Sequence, residues 1–392
     1  MKSLAGHFLA AFCLFSMLCG VTFAQSGSGG TVLRLDPALD KLIDPHAKLE
    51  DVLINRIART EGPVWVPGKR TSGYLLIPDV GGNVIYKWQP NCKKYPCRPQ
   101  DGNLSLYLKN ASYTGPLSGG GFPGKPFDDV GSITYNGRFW VVHTGPVGLG
   151  LDPQHRLLIT EFGDRAVARI ESDGTRTVLA SSLNGQHLNC PDDLVSKSDG
   201  TIYWTDGPQS CYRLGESDPN RQIQFKALYM IKDGVLTVLD KTNPGINGVA
   251  LSPDEKTLYV TGGHDTLLKY DVQPDDTVTN RRLFVDMLAT AGITHPKPGT
   301  ADAIFPDGVR VDSLGDVWAP GPGGMWIISP EGKHLGTILA PNDPALLPYQ
   351  VFCSMAFGDD GKTLYIDGNT DVRRIRLKVC GSSVPPFTCS AN

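Results

Sequence analysis

Apolar and polar residues alternate along this chain in short runs bounded by Gly, Asp, Asn or Pro. Tyr74-Leu75-Leu76-Ile77, Asn83-Val84-Ile85-Tyr86, Leu157-Leu158-Ile159-Thr160 and Ala166-Val167-Ala168-Arg169-Ile170 are of this kind. So are Thr201-Ile202-Tyr203-Trp204, Leu258-Tyr259-Val260-Thr261 and Leu364-Tyr365-Ile366. Their β-branched and aromatic content predicts strands. No long segment carries a helical period, and Leu283 to Ala291 supports a turn or two at most. Alternating strands and helices around a parallel sheet are therefore not expected.

The runs repeat as a unit. A polar residue, usually followed by Gly or an acid, heads an apolar strand; a turn with Asp or Gly follows, then a second strand. The segments are Glu61-Gly62-Pro63-Val64-Trp65, Val147 to Asp152, Asp192 to Val195, Asn247 to Leu251, Pro306 to Asp312 and Ser354 to Phe357. The leading residues Glu61, Val147, Asp192, Asn247, Asp307 and Ser354 are 86, 45, 55, 60 and 47 residues apart. Most spacings approach the roughly 40–50 residues of a four-stranded blade. An all-β fold, a six-bladed β-propeller, is predicted over residues 48–379. A sandwich or two barrels would not explain why polar residues head the first strands. The long first spacing places an insertion at 91–145, read as an elaborated loop able to cover one mouth of the channel; an unstructured surface insertion is the alternative. Blade six has only three strands after its leader, so Lys48 to Ile54 is expected to supply the fourth and leave no open edge.

Composition narrows the setting. The chain has 392 residues with 40% apolar and 20% charged content, as a folded soluble protein requires. A net charge of −3 without a basic block argues against nucleic acid or anionic membranes as partners. Lys2, the apolar run Phe8 to Val21 and Thr22-Phe23-Ala24 read as a signal peptide over 1–24, with cleavage before Gln25. A secreted or periplasmic protein is expected. Residues 25–47 then form a linker and N-terminal extension, and 380–392 a C-terminal tail. In an oxidising compartment Cys92/Cys97, Cys380/Cys389 and Cys190/Cys211 can pair, leaving Cys353 as a buried thiol. No Cys or His spacing supports a zinc site.

The leaders carry the chemistry. In a propeller the innermost strands line the channel, so equivalent residues at their starts face one axial point. Glu61, Asp192 and Asp307 bring three carboxylates there, with the Asn247 amide. Without a cation they would repel one another and take up protons. Ca²⁺ resolves the conflict, since it prefers carboxylate and amide oxygens in irregular geometry; another divalent cation is the alternative. Singly, each residue reads as a turn former; four in register read as a metal site.

Glu61 to Trp65, Asn247 to Val260 and Pro306-Asp307-Gly308 together resemble the senescence-marker-protein/gluconolactonase (regucalcin-like) family, a likeness running from about Leu49 to Leu377. The resemblance implies a calcium propeller that hydrolyses sugar lactones, with Glu61, Asn247 and Asp307 matching the metal set. Its more distant relatives, of the paraoxonase type, extend the substrates to aryl esters and organophosphates. Asp307 is then the base that activates water, and Asn189 and Asn247 are expected to bind substrate hydroxyls. His143 and His187 are second-choice bases near the substrate. Three positions depart from the family. Asp192 replaces Asn in Pro-Asn-Asp, Val147 replaces Asn in blade two, and Phe162 replaces His. The rival reading is a non-catalytic, calcium-stabilised binding or interaction propeller, which fold alone does not exclude.

Overall fold

A computed structural model describes residues 32–382, apart from 69–72, 92–97, 99–100, 115–132, 136–137, 141–143, 208–210, 212–216, 244, 264, 294–305, 341–351 and 369. The expected signal peptide, the pair Cys92/Cys97, His143 and most of the tail lie outside the described residues.

Six antiparallel sheets stand around one axis. From the channel outward, blade one is Val64–Val66, Tyr74–Asp79, Val84–Pro90 and Gly102–Lys109. Blade two is Pro146–Leu151, Leu157–Glu161, Ala166–Ile170 and Arg176–Ala180. Blade three is Pro191–Ser196, Ile202–Asp206, Ala227–Lys232 and Val235–Asp240. Blade four is Val249–Leu251, Thr257–Gly262, Thr266–Val272 and Val278–Asp286. Blade five is Arg310–Val311, Val317–Gly321, Gly324–Ile328 and His334–Leu339. Blade six is Ser354–Gly358, Thr363–Gly368 and Asp371–Arg376, and Glu50–Leu53 completes it from the other end of the chain. Glu50 pairs with Arg374 and Leu53 with Val372, so the segment expected to close the ring lies on the exposed edge of the last blade.

Each blade buries both faces, because each has a neighbour on both sides. That is why middle strands such as Leu157–Glu161 and Ile202–Asp206 are buried at every position. The core divides accordingly. One apolar cluster fills each of the six blade interfaces, for example Leu158, Leu194 and Trp204 between blades two and three. Trp65 stacks on Tyr365 at 5.5 Å across the seam where the first and last blades meet. Burying such side chains contributes about 1.5–3 kcal/mol each.

Three boundaries differ from expectation. The proposed insertion at 91–145 contains blade one's outer strand, Gly102–Lys109, in which Leu104, Leu106 and Leu108 alternate with outward residues. Leu283 to Asp286 ends a strand, and only Met287–Thr290 is helical, capped by Asp286 accepting from the Ala289 amide. The N-terminal extension is more than a linker. Val32–Arg34 adds a fifth strand to blade five, and a short helix at Pro37–Lys41 follows. Leu39, Leu42 and Ile43 are buried against the blade five–six cluster. Ile43→Val is expected to lower stability by about 0.5–1.5 kcal/mol, the usual cost of one buried methylene, measured as a shift in urea midpoint. An extension that merely linked domains would leave the midpoint unmoved.

Candidate functional site

The inner strands approach so closely that after four of the six leaders the next residue has no room for a side chain. A Cβ on Gly248 would lie 2.2 Å from the Asp307 carbonyl oxygen, and one on Gly308 2.1 Å from Ser354 Oγ. Gly62 and Gly148 meet Val147 and Asp192 in the same way. The recurring Gly therefore seats each leader against the next blade's leader. A second device repeats with it. Thr160 closes the second strand of blade two and donates its hydroxyl to the Asp192 carbonyl, and Thr205 in blade three donates to the Asn247 carbonyl. Thr261 holds the same position in blade four. These threonines fix the backbone from which Asp192 and Asn247 project.

The arrangement brings Glu61, Asp307 and Cys353 together, with one donor atom from each within 4.8 Å of the others. Glu61 and Cys353 are buried and Asp307 is half-buried. Asp192 is outside that tightest set, but it is buried and interacts electrostatically with both carboxylates. Burial, then Glu61 and Asp193, pushes the Asp192 carboxyl well above the usual carboxylate range. Burial, then Glu61 and Asp192, does the same to Asp307. Burial raises Glu61 too, against the opposing charge of Arg59. Arg59 holds Glu61 Oε1 through Nη2 at 2.8 Å and Nε at 3.3 Å.

Neutral acceptors complete the set. Asn247 Oδ1 is buried and has no hydrogen-bond donor among the described residues. Asn189 Oδ1 is in the same condition, while its Nδ2 is committed to the Phe225 carbonyl at 2.8 Å. Ser354 Oγ is a third such atom. Mutually repelling carboxylates beside an undonated amide oxygen are the donor set a divalent cation takes. Among the described residues, Glu61 and Asp307 are the carboxylates whose oxygens lie close enough to share one ion, with Asp192 on the inner strand of blade three and Asn247 just before that of blade four.

Crowded acids predict a pH effect. Asp367, pushed up to about 8 by burial and then Glu61, and Asp206, pushed up to about 7 by burial, bind protons more tightly in the folded chain than unfolded. Stability therefore falls as pH rises between their ordinary carboxylate value of 3.8 and those raised values. In the presence of chelator, the urea midpoint is expected to be lower at about pH 8 than at about pH 5. A midpoint that rises over this range would show that these acids are relieved in the folded state.

Other expected residues fare differently. His187 is exposed, on a small hairpin whose backbone amide donates to Gln222 Oε1 at 2.7 Å. Val147 and Phe162, both departures, are buried in one apolar cluster with Val80 and the Cys190–Cys211 disulfide. One exchange supports the other, since a polar Asn or His would lack partners there. Cys380 is disulfide-bonded, its expected partner Cys389 lying outside the described residues. Sequence reasoning missed Arg59, Cys353 as a neighbour of the carboxylates, and the link across the channel from Arg310 Nη1 to Asp193 Oδ2 at 2.9 Å. It also missed the threonines, although Thr160, Thr205 and Thr261 recur at one position of the repeat.

Comparison with known proteins gives a consistent picture. A gluconolactonase of Zymomonas mobilis is 28% identical over 357 residues, covering 90% of this chain and 87% of that one. Lactonase drp35 of Staphylococcus epidermidis is 28% identical over 213 residues; the match spans 52% of this chain and 59% of its length. Among solved structures, a gluconolactonase of Xanthomonas campestris superimposes with a TM-score of 0.64 at 23% identity, over 88% of this chain and 94% of that one. Regucalcin of Agrobacterium tumefaciens, described as a calcium-binding protein, does so with a TM-score of 0.54 at 14% identity, over 85% and 95%. Both structures share the propeller. The model of the SMP-30/Gluconolactonase/LRE-like region matches residues 59–369, from Arg59 beside the first leader to just past the second strand of blade six. This chain belongs to the SMP-30/gluconolactonase/LRE-like family.

Proposed function

We propose that this protein is a lactonase that opens a sugar-type lactone by adding water to the ring carbonyl at the axial carboxylate cluster, with Ca²⁺ bound there. The observation that carries this reading is the crowding of Glu61, Asp192 and Asp307, each buried or half-buried, beside the undonated oxygen of Asn247. The gluconolactonase of Zymomonas mobilis, similar over most of both chains, supports the substrate class. A bound divalent cation supplies stabilisation of the negative charge that develops on the carbonyl oxygen.

The residues of the chain do the rest. Asp307, a half-buried carboxylate of the cluster, is assigned as the base that takes a proton from the attacking water. That proton passes to the ring oxygen as the carbon–oxygen bond breaks, giving a hydroxy acid. Asn189 is assigned to accept from a substrate hydroxyl, a reading supported by its Oδ1 having no donor among the described residues while its Nδ2 is committed to the Phe225 carbonyl. The expected signal peptide and the Cys190–Cys211 disulfide, an oxidising-compartment feature, support action outside the cytoplasm.

A pH-stat assay across neutral lactones and aryl esters tests the reading. Lactone hydrolysis that disappears on chelation and returns with Ca²⁺ supports it. Inactivity on both classes favours a non-catalytic binding propeller, and activity on aryl esters alone a paraoxonase-type esterase.

Asp192, where the family has Asn, adds a charge. More ligand charge tightens calcium binding and spreads the cation's field over more anions, leaving less for the carbonyl. Asp192→Asn is expected to weaken Ca²⁺ binding by about tenfold, roughly 1.4 kcal/mol, and to raise turnover of a neutral lactone. Calorimetry and the lactone assay measure both. Unchanged affinity means that Asp192 is not a ligand; a fall in turnover makes its carboxylate the base.

A further inference from the structure

The metal reading assigns only oxygen donors, yet the group of acidic and thiol side chains that comes together among the described residues includes sulfur. Cys353 is a free thiol, 3% exposed, and its Sγ lies within 4.8 Å of carboxylate oxygens of both Glu61 and Asp307. Its position follows from the fold. The Cys353 carbonyl accepts the Gly308 amide at 2.9 Å, one residue past Asp307, and the Cys353 amide donates to the Asp367 carbonyl at 2.9 Å. The thiol is thus carried on a backbone bonded to the Asp307 segment on one side and to blade six's second strand on the other. A second observation lies beside it. Ser354 is 2% exposed, and its Oγ, which has no hydrogen-bond partner among the described residues, packs against Gly308, the residue after Asp307. Two carboxylate oxygens and a thiol form a mixed set, and the Ser354 hydroxyl is carried on the adjoining residue.

Ca²⁺ and Mg²⁺ take oxygen and leave such a sulfur unused, whereas Zn²⁺ and Cd²⁺ bind thiolate sulfur strongly. We propose that Cys353 is a metal ligand specific to thiophilic divalent ions, giving this centre a second binding mode, through Glu61, Asp307 and Cys353, beside its oxygen-only mode. The proposal rests on the reading of the cluster as a divalent-cation site. On binding, the thiol proton is released to solvent and the sulfur lone pair forms the metal–sulfur bond; no oxidant is needed. Zn²⁺ and Ca²⁺ would compete for two shared carboxylates, so Zn²⁺ would displace Ca²⁺ from the site.

The test uses the full mature chain, stripped of metal, titrated with Cd²⁺ and separately with Co²⁺. The expected result is a thiolate-to-metal charge-transfer band that saturates at one ion per chain and is reversed by excess Ca²⁺. In Cys353→Ser the band is absent and Cd²⁺ affinity falls by at least the ~10- to 100-fold that losing even an outer partner of a metal site costs. Ca²⁺ affinity in that variant is unchanged by calorimetry, which also shows that it folds; Cys353→Thr serves if the serine variant does not. Cd²⁺ binding without a charge-transfer band, or a band that survives in Cys353→Ser, overturns the assignment while leaving the oxygen site standing. Failure of the wild-type chain to bind Ca²⁺ or Cd²⁺ at all overturns the divalent site itself, and this proposal with it.

Discussion

Asp307→Asn is expected to lower lactone turnover by about 10²- to 10⁴-fold, the range that a positioned general base contributes. The substitution keeps an oxygen at the position and removes the proton acceptor together with one negative charge. Binding of the substrate should change little, so the loss belongs in kcat and not in KM. The assay is run at saturating Ca²⁺, since a lost carboxylate also weakens cation binding. Folding should not suffer. Asp307 is one of three acids that raise one another's proton affinity, so neutralising it relieves repulsion. The expected pairing is therefore a nearly inactive variant with an undiminished urea midpoint in chelator. Turnover within about tenfold of the parent would move the base elsewhere, with Asp192 the next to test.

Arg310→Met is expected to cost about 3–5 kcal/mol of stability, the price of leaving a buried charge without its partner. Arg310 leaves blade five's inner strand and reaches across the channel to Asp193 of blade three, with Nη1 2.9 Å from Oδ2. Its side chain is 17% exposed and that of Asp193 5%, so water screens the pair little. The same Asp193 oxygen accepts the Val249 amide of blade four at 3.2 Å. One ion pair therefore ties three inner strands together beneath the carboxylate cluster. Methionine preserves bulk, so packing loss is kept small. Adding Asp193→Asn to Arg310→Met should recover more than half of the loss, because the orphaned charge is gone. Equilibrium urea unfolding of the parent, both single variants and the double variant measures the coupling. A double variant no more stable than Arg310→Met alone would place the cost in packing instead.

Local chemistry was legible wherever the chain repeats it. Alternating runs, Gly after the leader and the spacing of Glu61, Asp192, Asn247 and Asp307 follow from strand geometry and turn residues, which act over a few positions. They were enough for an all-β propeller with acids at its axis, and for Lys48 to Ile54 at the closing edge. Gly102–Lys109 was legible as a strand, since Leu104, Leu106 and Leu108 alternate with Asn103, Ser105 and Tyr107, but it falls inside a long spacing and reads as part of the insertion.

The sequence by itself determined which residues stand on inner strands and that carboxylates would collect there, since both depend on a repeat written in the chain. Only the tertiary structure decided who meets whom across the channel. Arg310 and Asp193 are 117 residues apart, and Cys353 reaches Glu61 only because the last blade closes against the first. It also decided the fate of residues 32–43, whose Leu39, Leu42 and Ile43 stand at helical spacing over a run too short to read as an element, and which are buried against blades five and six. Periodicity records what a strand does to its own side chains; contacts around a closed ring depend on the angle at which each blade meets the next, and no run of neighbouring residues encodes that angle.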